Sequence, residues 1–402
     1  MRFFRPAVMW FCIALVVRFV LTVAIHLYSI GAGFNGFFPL ESGNDDRLYW
    51  EIALEVLSGT MRTDNPNSFG YFLAYLFSFT GPNLLVGKML LVFAGAGAVA
   101  VAVLLVRELL LPMSSSYLRR GWRNPIHWVG AVMTFYPSAL LYSTQLLRDP
   151  LMQFFGLLSV LMIVRFLRTR TFSAGLLALI ALWLLYGLRP YLMLSIVFGT
   201  GLYMLVYWQI QPRIKWAILT ISGLVFAFAP LALGLGVFGS GYVGRLLDPQ
   251  DISSFRQDVY STGGSSAGVQ IDFSNPVSFV LTYPLSFLTA MFGPFPWQVK
   301  SAVQLIALPE ALFMLTLIGV WWRGVRRLLR GSSRATVVFL AAMVGLAVVA
   351  VYSDNIGANT RLRLLPWSLF IVYASVQPYL EQPRKRVLRR SAPEDKQVCV
   401  TS

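Results

Sequence analysis

Apolar residues in this chain come in long runs rather than in strict alternation. Stretches rich in Leu, Val, Ala, Ile and Phe recur from one end to the other, separated by short connections that carry most of the charge. A helix needs about 20 apolar residues to cross roughly 30 Å of hydrocarbon. The pattern therefore predicts an all-α, polytopic integral membrane protein with ten spans, at about 7–30, 84–106, 126–146, 149–167, 173–188, 190–210, 214–238, 299–320, 335–352 and 364–380. Two further apolar segments, about 69–80 and 277–293, are short or interrupted by Gly, Pro and aromatic residues, and read as interfacial or re-entrant.

Between the first two predicted spans, "DDRLYWEIALEVLSG" places Tyr49, Ile52, Ala53, Val56 and Leu57 at helical spacing, with Glu51 and Glu55 on another face. This predicts a helix lying along the interface, with Asp45 and Asp46 at its N-terminal end, where the helix dipole favours ionised carboxylates. From spacing alone two roles stay open: Asp45 or Asn44 caps the helix, or the carboxylates act as a base or as metal ligands.

Composition agrees with the pattern. Of the 402 residues, 57% are hydrophobic and 12% charged, far too apolar for a soluble globule of this length. The N-terminal run has the basic flank of a signal peptide but no small-residue cleavage site, and reads as a retained span with Arg18 inside it facing the bundle. Cys12 and Cys399 suggest no disulfide framework, and the final Cys-Val-Thr-Ser is a poor prenylation box.

Charge sets the orientation. With the predicted spans, one side collects Arg2, Arg5, Arg107, Arg119, Arg120, Arg123, Arg165, Arg168, Arg170, Arg213, Lys215, Arg323, Arg326, Arg327, Arg330, Arg334 and the basic tail from Arg384 to Lys396. By the positive-inside rule that side is cytoplasmic. The domain organisation that follows is a transmembrane domain over 1–380, with outer loops 31–83 and 239–298, and a basic cytoplasmic tail over 381–402. The net charge of +16 is then a topology signal. Its basic residues lie in short juxtamembrane loops suited to anionic membrane lipids, with no nucleic-acid module among them.

The unusual polar residues gather on the other, extracytoplasmic side of what is expected to be the cytoplasmic membrane: Asp45, Asp46, Arg148, Asp149, Arg189, the loop 239–275, Asp354, Arg361 and Arg363. Arg361 and Arg363 suit a lipid phosphate by charge-assisted bonds, and equally suit headgroups at the interface. The glycine-rich loop 239–275 reads either as a lid or as a connection. "GLGVFG" at 234–239 matches a dinucleotide fingerprint in letters only, with no strand before it. "FGPFPW" at 292–297 supplies interfacial aromatics. His26 and His127 fall on opposite predicted sides, so no zinc site is evident, although the adjacent carboxylates leave a divalent metal open.

The pattern Asp45-Asp46-x-x-Tyr49-x-Glu51-Ile52-Ala53 resembles the Asp-Glu-x-x-Tyr-x-Glu-Ile-Ala motif in the first outer loop of the protein O-mannosyltransferase and lipid A aminoarabinose transferase family, polyprenyl-phosphate-sugar-dependent glycosyltransferases of the GT-C superfamily. "NSFGYFLAYLFSFTGPNLLVGKMLLVFAGAGAVAVAVLLVREL" is similar to that family's interfacial helix, glycine turn and second span, and "LLRDPLMQFF" to its Asp-Pro opening of a later span. Asp46 stands where the family has Glu, and the family's Lys-Pro-Pro-Leu is missing near Pro66.

The resemblance implies an inverting transfer of sugar from a lipid-linked donor to a glycan, lipid or protein acceptor. It maps the catalytic carboxylate onto Asp45, with Asp46 beside it. Tyr49, Lys88, Arg148, Asp149, Arg189, Arg361 and Arg363 are then the candidate substrate-binding residues. A glycolipid transporter and a polymerase or ligase using a lipid-pyrophosphate donor are the alternatives. The topology is checked with cysteines at 45, 250 and 358, which should react with an impermeant thiol reagent from outside, whereas those at 121 and 329 should not. Labelling of 45 and 121 from the same side would overturn the orientation.

Overall fold

The structure, a computed structural model, describes residues 5–39, 45–59, 68–111, 124–207, 276–299, 302–330, 333–353 and 356–380. Every regular element among them is helical. In chain order they are α1 (Arg5–Gly31), α2 (Asp45–Leu57), α3 (Phe69–Thr80), α4 (Leu84–Leu110), α5 (Pro125–Phe135), α6 (Pro137–Ser143), α7 (Asp149–Thr169), α8 (Phe172–Leu188) and α9 (Pro190–Tyr207). After residue 275 come α10 (Pro276–Phe292), a single 3₁₀ turn (Pro296–Gln298), α11 (Ala302–Thr316), α12 (Ile318–Arg330), α13 (Ala335–Tyr352), α14 (Ile356–Leu362) and α15 (Leu364–Leu380).

Local chemistry explains several boundaries. Asn83 accepts from the amides of Leu85 and Val86 at 3.0 and 3.3 Å and so opens α4, and Asn124 does the same for Ile126 at 3.0 Å ahead of Pro125 in the first turn of α5. Pro150 sits in the first turn of α7, and Arg170 closes that helix in the left-handed conformation at φ 57°.

Among the described residues four helices, α1, α4, α7 and α13, are long and apolar enough to cross a membrane, and α11 with α12 forms a fifth unit bent by 48°. The chain thus has several apolar helices that fit a multi-pass membrane protein. Ten spans are not reached on this measure, because α3, α8, α9, α10 and α15 are apolar over shorter lengths. Breaks account for two differences from the sequence reading. The run 126–146 is two helices interrupted at Tyr136, where Pro137 follows, and the run 299–320 begins at Ala302 and breaks at Leu317, beyond which α12 continues to Arg330. The predicted span 214–238, the loop 239–275 and the tail 381–402 lie outside the described residues.

Helix α4 packs against α1, α5 and α7, and α7 also carries α8, while α13 packs against α9, α10 and α15. Helix α15 reaches α4, α5 and α7 from the other side and is buried almost throughout, with Trp367, Phe370 and Val372 fully enclosed. Small residues let these helices approach. A Cβ on Gly156 of α7 would collide with the Leu365 side chain of α15. At Gly199 of α9 the neighbour is backbone: a Cβ there would stand 2.7 Å from the Ala341 nitrogen and 2.9 Å from its Cα. Close approach through a glycine maximises dispersion contacts where lipid gives helices no hydrophobic reason to associate.

The predicted amphipathic helix is present as α2, which packs on α3. Its buried face is Asp46, Tyr49, Ile52 and Ala53. Burial stops there: Val56 is only partly covered and Leu57 is exposed. Tyr49 meets Phe69 edge-on at 5.0 Å and Trp50 meets Phe77 at 5.2 Å, fixing α2 to α3 through aromatic pairs.

Gly199 and Gly319 test the packing by contrast. Nothing lies within 4 Å of a Cβ built on Gly319. Gly199→Ala should therefore destabilise the purified protein by about 1–3 kcal/mol through overpacking against rigid backbone. Gly319→Ala should be neutral or stabilise by about 0.5–1 kcal/mol from helix propensity. Unfolding temperatures in detergent decide it, and equal shifts would contradict the α9–α13 approach.

Candidate functional site

Helix starts and ends place the candidate residues together. Asp45 opens α2, Asp149 opens α7, Arg148 precedes it, Arg189 follows α8, and Arg361 stands in the last turn of α14. Arg361 is the joint. One of its terminal nitrogens (Nη1) forms a short hydrogen-bonded ion pair with Asp45 Oδ2, and the other (Nη2) donates to Asp149 Oδ2 at 3.1 Å. The planar fork of arginine allows two carboxylates, from segments far apart in the chain, to be held at once. Burial disfavours the charge, but Asp149 and then Asp45 outweigh it, so the pKa of Arg361 moves well above its ordinary value.

Arg148 and Arg189 complete the cluster, both close enough to Asp149 to act on its charge. Arg148 lies over the Tyr49 ring at 5.9 Å and donates to the Leu188 carbonyl at 2.7 Å. Arg189 donates to the Tyr191 hydroxyl at 2.6 Å. Tyr142 lies beneath Arg361, with its ring 5.7 Å from the guanidinium carbon and its hydroxyl bonded to Thr360 Oγ1 at 2.6 Å. Three guanidiniums thus face two carboxylates, leaving the cluster cationic. The Nε atoms of Arg148, Arg189 and Arg361 are buried and have no hydrogen-bond partner among the described residues.

The adjacent aspartates have different surroundings. The Asp45 side chain is 42% exposed, against 1% for Asp149, so Asp45 is the carboxylate of this cluster that meets solvent. Asp46 is fully buried and faces the loop before α2, accepting from the Phe38 amide at 2.9 Å. Burial is the main influence on Asp46 and raises its pKa; the Phe38 amide and Lys88 pull the other way without offsetting it. Lys88 is enclosed too, donating to the Gly36 carbonyl at 2.7 Å, where His26 Nδ1 also approaches at 3.3 Å. Asp46 and Lys88 therefore brace residues 36–38, whereas Asp45 opens to the arginine cluster.

Arg363 is not paired with Arg361 on one surface. It is buried, donates to the Ala290 carbonyl at 3.1 Å and stacks over Trp367 at 3.8 Å. Asp354 and the loop 239–275 fall outside the described residues. Among the described residues no three His, Cys, Asp or Glu side chains converge on a metal-holding geometry.

Tyr142, Thr360 and Tyr191 were not singled out by sequence. Tyr142 sits in an apolar run with no local pattern to mark it, whereas Tyr191 in "LRPY" stands two residues from Arg189, a spacing that offered a signal. Compared with protein-family models, curated proteins and solved structures, the chain matches none.

Asp46 gives a pH test. Because its folded pKa lies above the unfolded value near 3.9, the folded state holds the proton more firmly. Its contribution to stability is fully retained at low pH and falls as pH rises from the ordinary aspartate range through the raised value. Asp46→Asn should remove that fall, so the unfolding temperature of the variant relative to the parent should rise with pH across this window and be flat outside it. A constant difference from pH 3 to 8 would refute the burial assignment.

Proposed function

We propose that this chain is an integral membrane glycosyltransferase, moving a sugar from a polyprenyl-phosphate carrier to an envelope glycan, lipid or protein acceptor on the extracytoplasmic face of the cytoplasmic membrane. In this reading the ten spans are those expected from the sequence, with α8, α9 and α15 among them and α3 and α10 interfacial. The observation that carries it is the Arg361 bridge: the carboxylate picked out by motif resemblance, Asp45, is joined to the Asp149 that opens α7. Both stand among three guanidiniums whose Nε atoms have no hydrogen-bond partner among the described residues.

The chemistry follows from that charge pattern. The acceptor hydroxyl gives its proton to Asp45 as its oxygen attacks the anomeric carbon. The bond from that carbon to the phosphate oxygen breaks, the electron pair leaves with the phosphate, and Arg148, Arg189 and Arg361 take up the departing charge. Attack opposite the leaving group inverts the anomeric centre. In the structure Asp45 Oδ2 is engaged by Arg361. A donor phosphate competes for the same guanidinium, and as Arg361 turns to it, Asp45 is released to act as base.

The same ion pair favours a second reading. A glycolipid transporter would use the headgroup phosphate to open the Asp45–Arg361 contact without any bond cleavage. The experiment that separates the two measures transfer by the purified protein with a polyprenyl-phosphate-sugar donor, together with unfolding temperature. Asp45→Asn keeps the size and an acceptor oxygen for the helix start but cannot take the proton. Turnover should fall by about 10²–10⁴ with folding unchanged, and Asp46→Asn should cost less. Full activity in Asp45→Asn would sink the base assignment. Cells lacking the protein that trap an intact donor on the cytoplasmic side would support transport.

A further inference from the structure

Arg18 and Glu310 lie deep within sequence-predicted spans, and neither belongs to the Arg361 cluster. Arg18 is on α1 and Glu310 on α11, yet both are turned to the same place, the break between α5 and α6. In a continuous helix the carbonyls of Met133 and Thr134 would accept from the amides of residues 137 and 138. Pro137 has no amide hydrogen, and the Ser138 amide donates instead to Glu310 Oε1 in a short hydrogen bond. Both carbonyls left over are taken by Arg18, which donates to Met133 at 3.1 Å and to Thr134 at 3.4 Å. Glu310 Oε2 also accepts from the Ser138 hydroxyl at 2.7 Å.

The Ser138 amide and the carbonyls of Met133 and Thr134 are thus all partnered, and with the right signs. A cation ends α5, where the helix dipole is negative, and an anion begins α6, where it is positive. Both side chains are almost fully enclosed, at 1% and 2% exposure, so no water replaces them.

Helix α6 is only seven residues long. Glu310 holds its first turn, and Tyr142 in its last turn bonds Thr360 and lies beneath Arg361. At 1.5 Å per residue the two ends are about 10 Å apart. We infer that Glu310 is a positioning residue for the Arg361 cluster: with Arg18 it replaces the hydrogen bonds lost at Pro137 and so sets where α6 presents Tyr142 to Thr360 and Arg361. The charged and titratable groups that bear on Glu310 and Tyr142 are Tyr136 and Arg363 on one side and Arg361 and Asp149 on the other.

The inference rests on the cluster being the working site, but its test needs no donor, so its failure is separable from failure of the transfer reading. The full chain carries 3-fluorotyrosine at position 142, and the ¹⁹F resonance is recorded in detergent. Arg361→Gln supplies the reference for a Tyr142 that has lost its cation. Glu310→Leu should move the resonance toward that reference, and Glu310→Gln, which keeps an acceptor oxygen for the Ser138 amide, should return it most of the way. An unmoved resonance in folded Glu310→Leu would overturn the inference.

A second measurement covers the case in which Glu310→Leu does not fold. Arg18→Met is compared in the parent and in Pro137→Ala, which gives Met133 its own amide partner. Because one of the two carbonyls no longer needs Arg18, the loss of unfolding temperature should shrink by about half. Equal losses in the two backgrounds would contradict the role assigned to the break.

Discussion

One guanidinium holds the candidate site together. Arg361 is the sole group through which the start of α2, the start of α7 and the segment before α15 are joined by charge among the described residues. Its two terminal nitrogens reach carboxylates that are unequal in setting, Asp149 enclosed and Asp45 open. The enclosed one anchors the arginine, because an unpaired buried carboxylate is expensive. The other is partly open to solvent, so its half of the bridge is the more screened and the easier to break. That inequality makes the contact with Asp45 the exchangeable half of the bridge, as the proposed displacement by a donor phosphate requires.

A related constraint acts inside the bundle. Backbone amides and carbonyls removed from water need partners, and a proline in the middle of an apolar run takes one away. The chain answers with side chains from two other helices instead of with a straight helix. The cost is two enclosed charges, each kept tolerable by hydrogen bonds. The benefit is a short, independently aimed helix under the arginine cluster.

Periodicity in the sequence was enough to find α2 and its inner face, since Tyr49, Ile52 and Ala53 are all buried. The distinction between the two aspartates was also latent there: Asp46 stands three residues before Tyr49 and seven before Ala53, on the buried stripe, and Asp45 is rotated off it. What could not be read was pairing across the chain. Asp45 and Arg361 are 316 residues apart, and no local pattern links them. The ten predicted spans are not confirmed for a different reason. Hydropathy averaged over a window does not register that Tyr136 interrupts one run or that Leu317 bends another. Nor does it register that a run such as 173–188 forms a helix of only 17 residues, α8. Arg363 shows the limit of reading neighbours as a pair, for two residues along the chain carried its side chain to Trp367 and away from the cluster.

Helix α7 is tethered at both ends. Asp149 binds Arg361 at its start, and Arg168, near its last residue and about 30 Å away by helix rise, binds Glu108 of α4 at 2.5 Å. A rod fixed at its two tips can neither tilt nor slide without breaking a charge pair. Helix α4, lying along it, shares that restraint. Any rearrangement of the bundle must therefore leave this pair standing as the fixed wall and be taken up by the helices for which no such pair of end ties is found among the described residues.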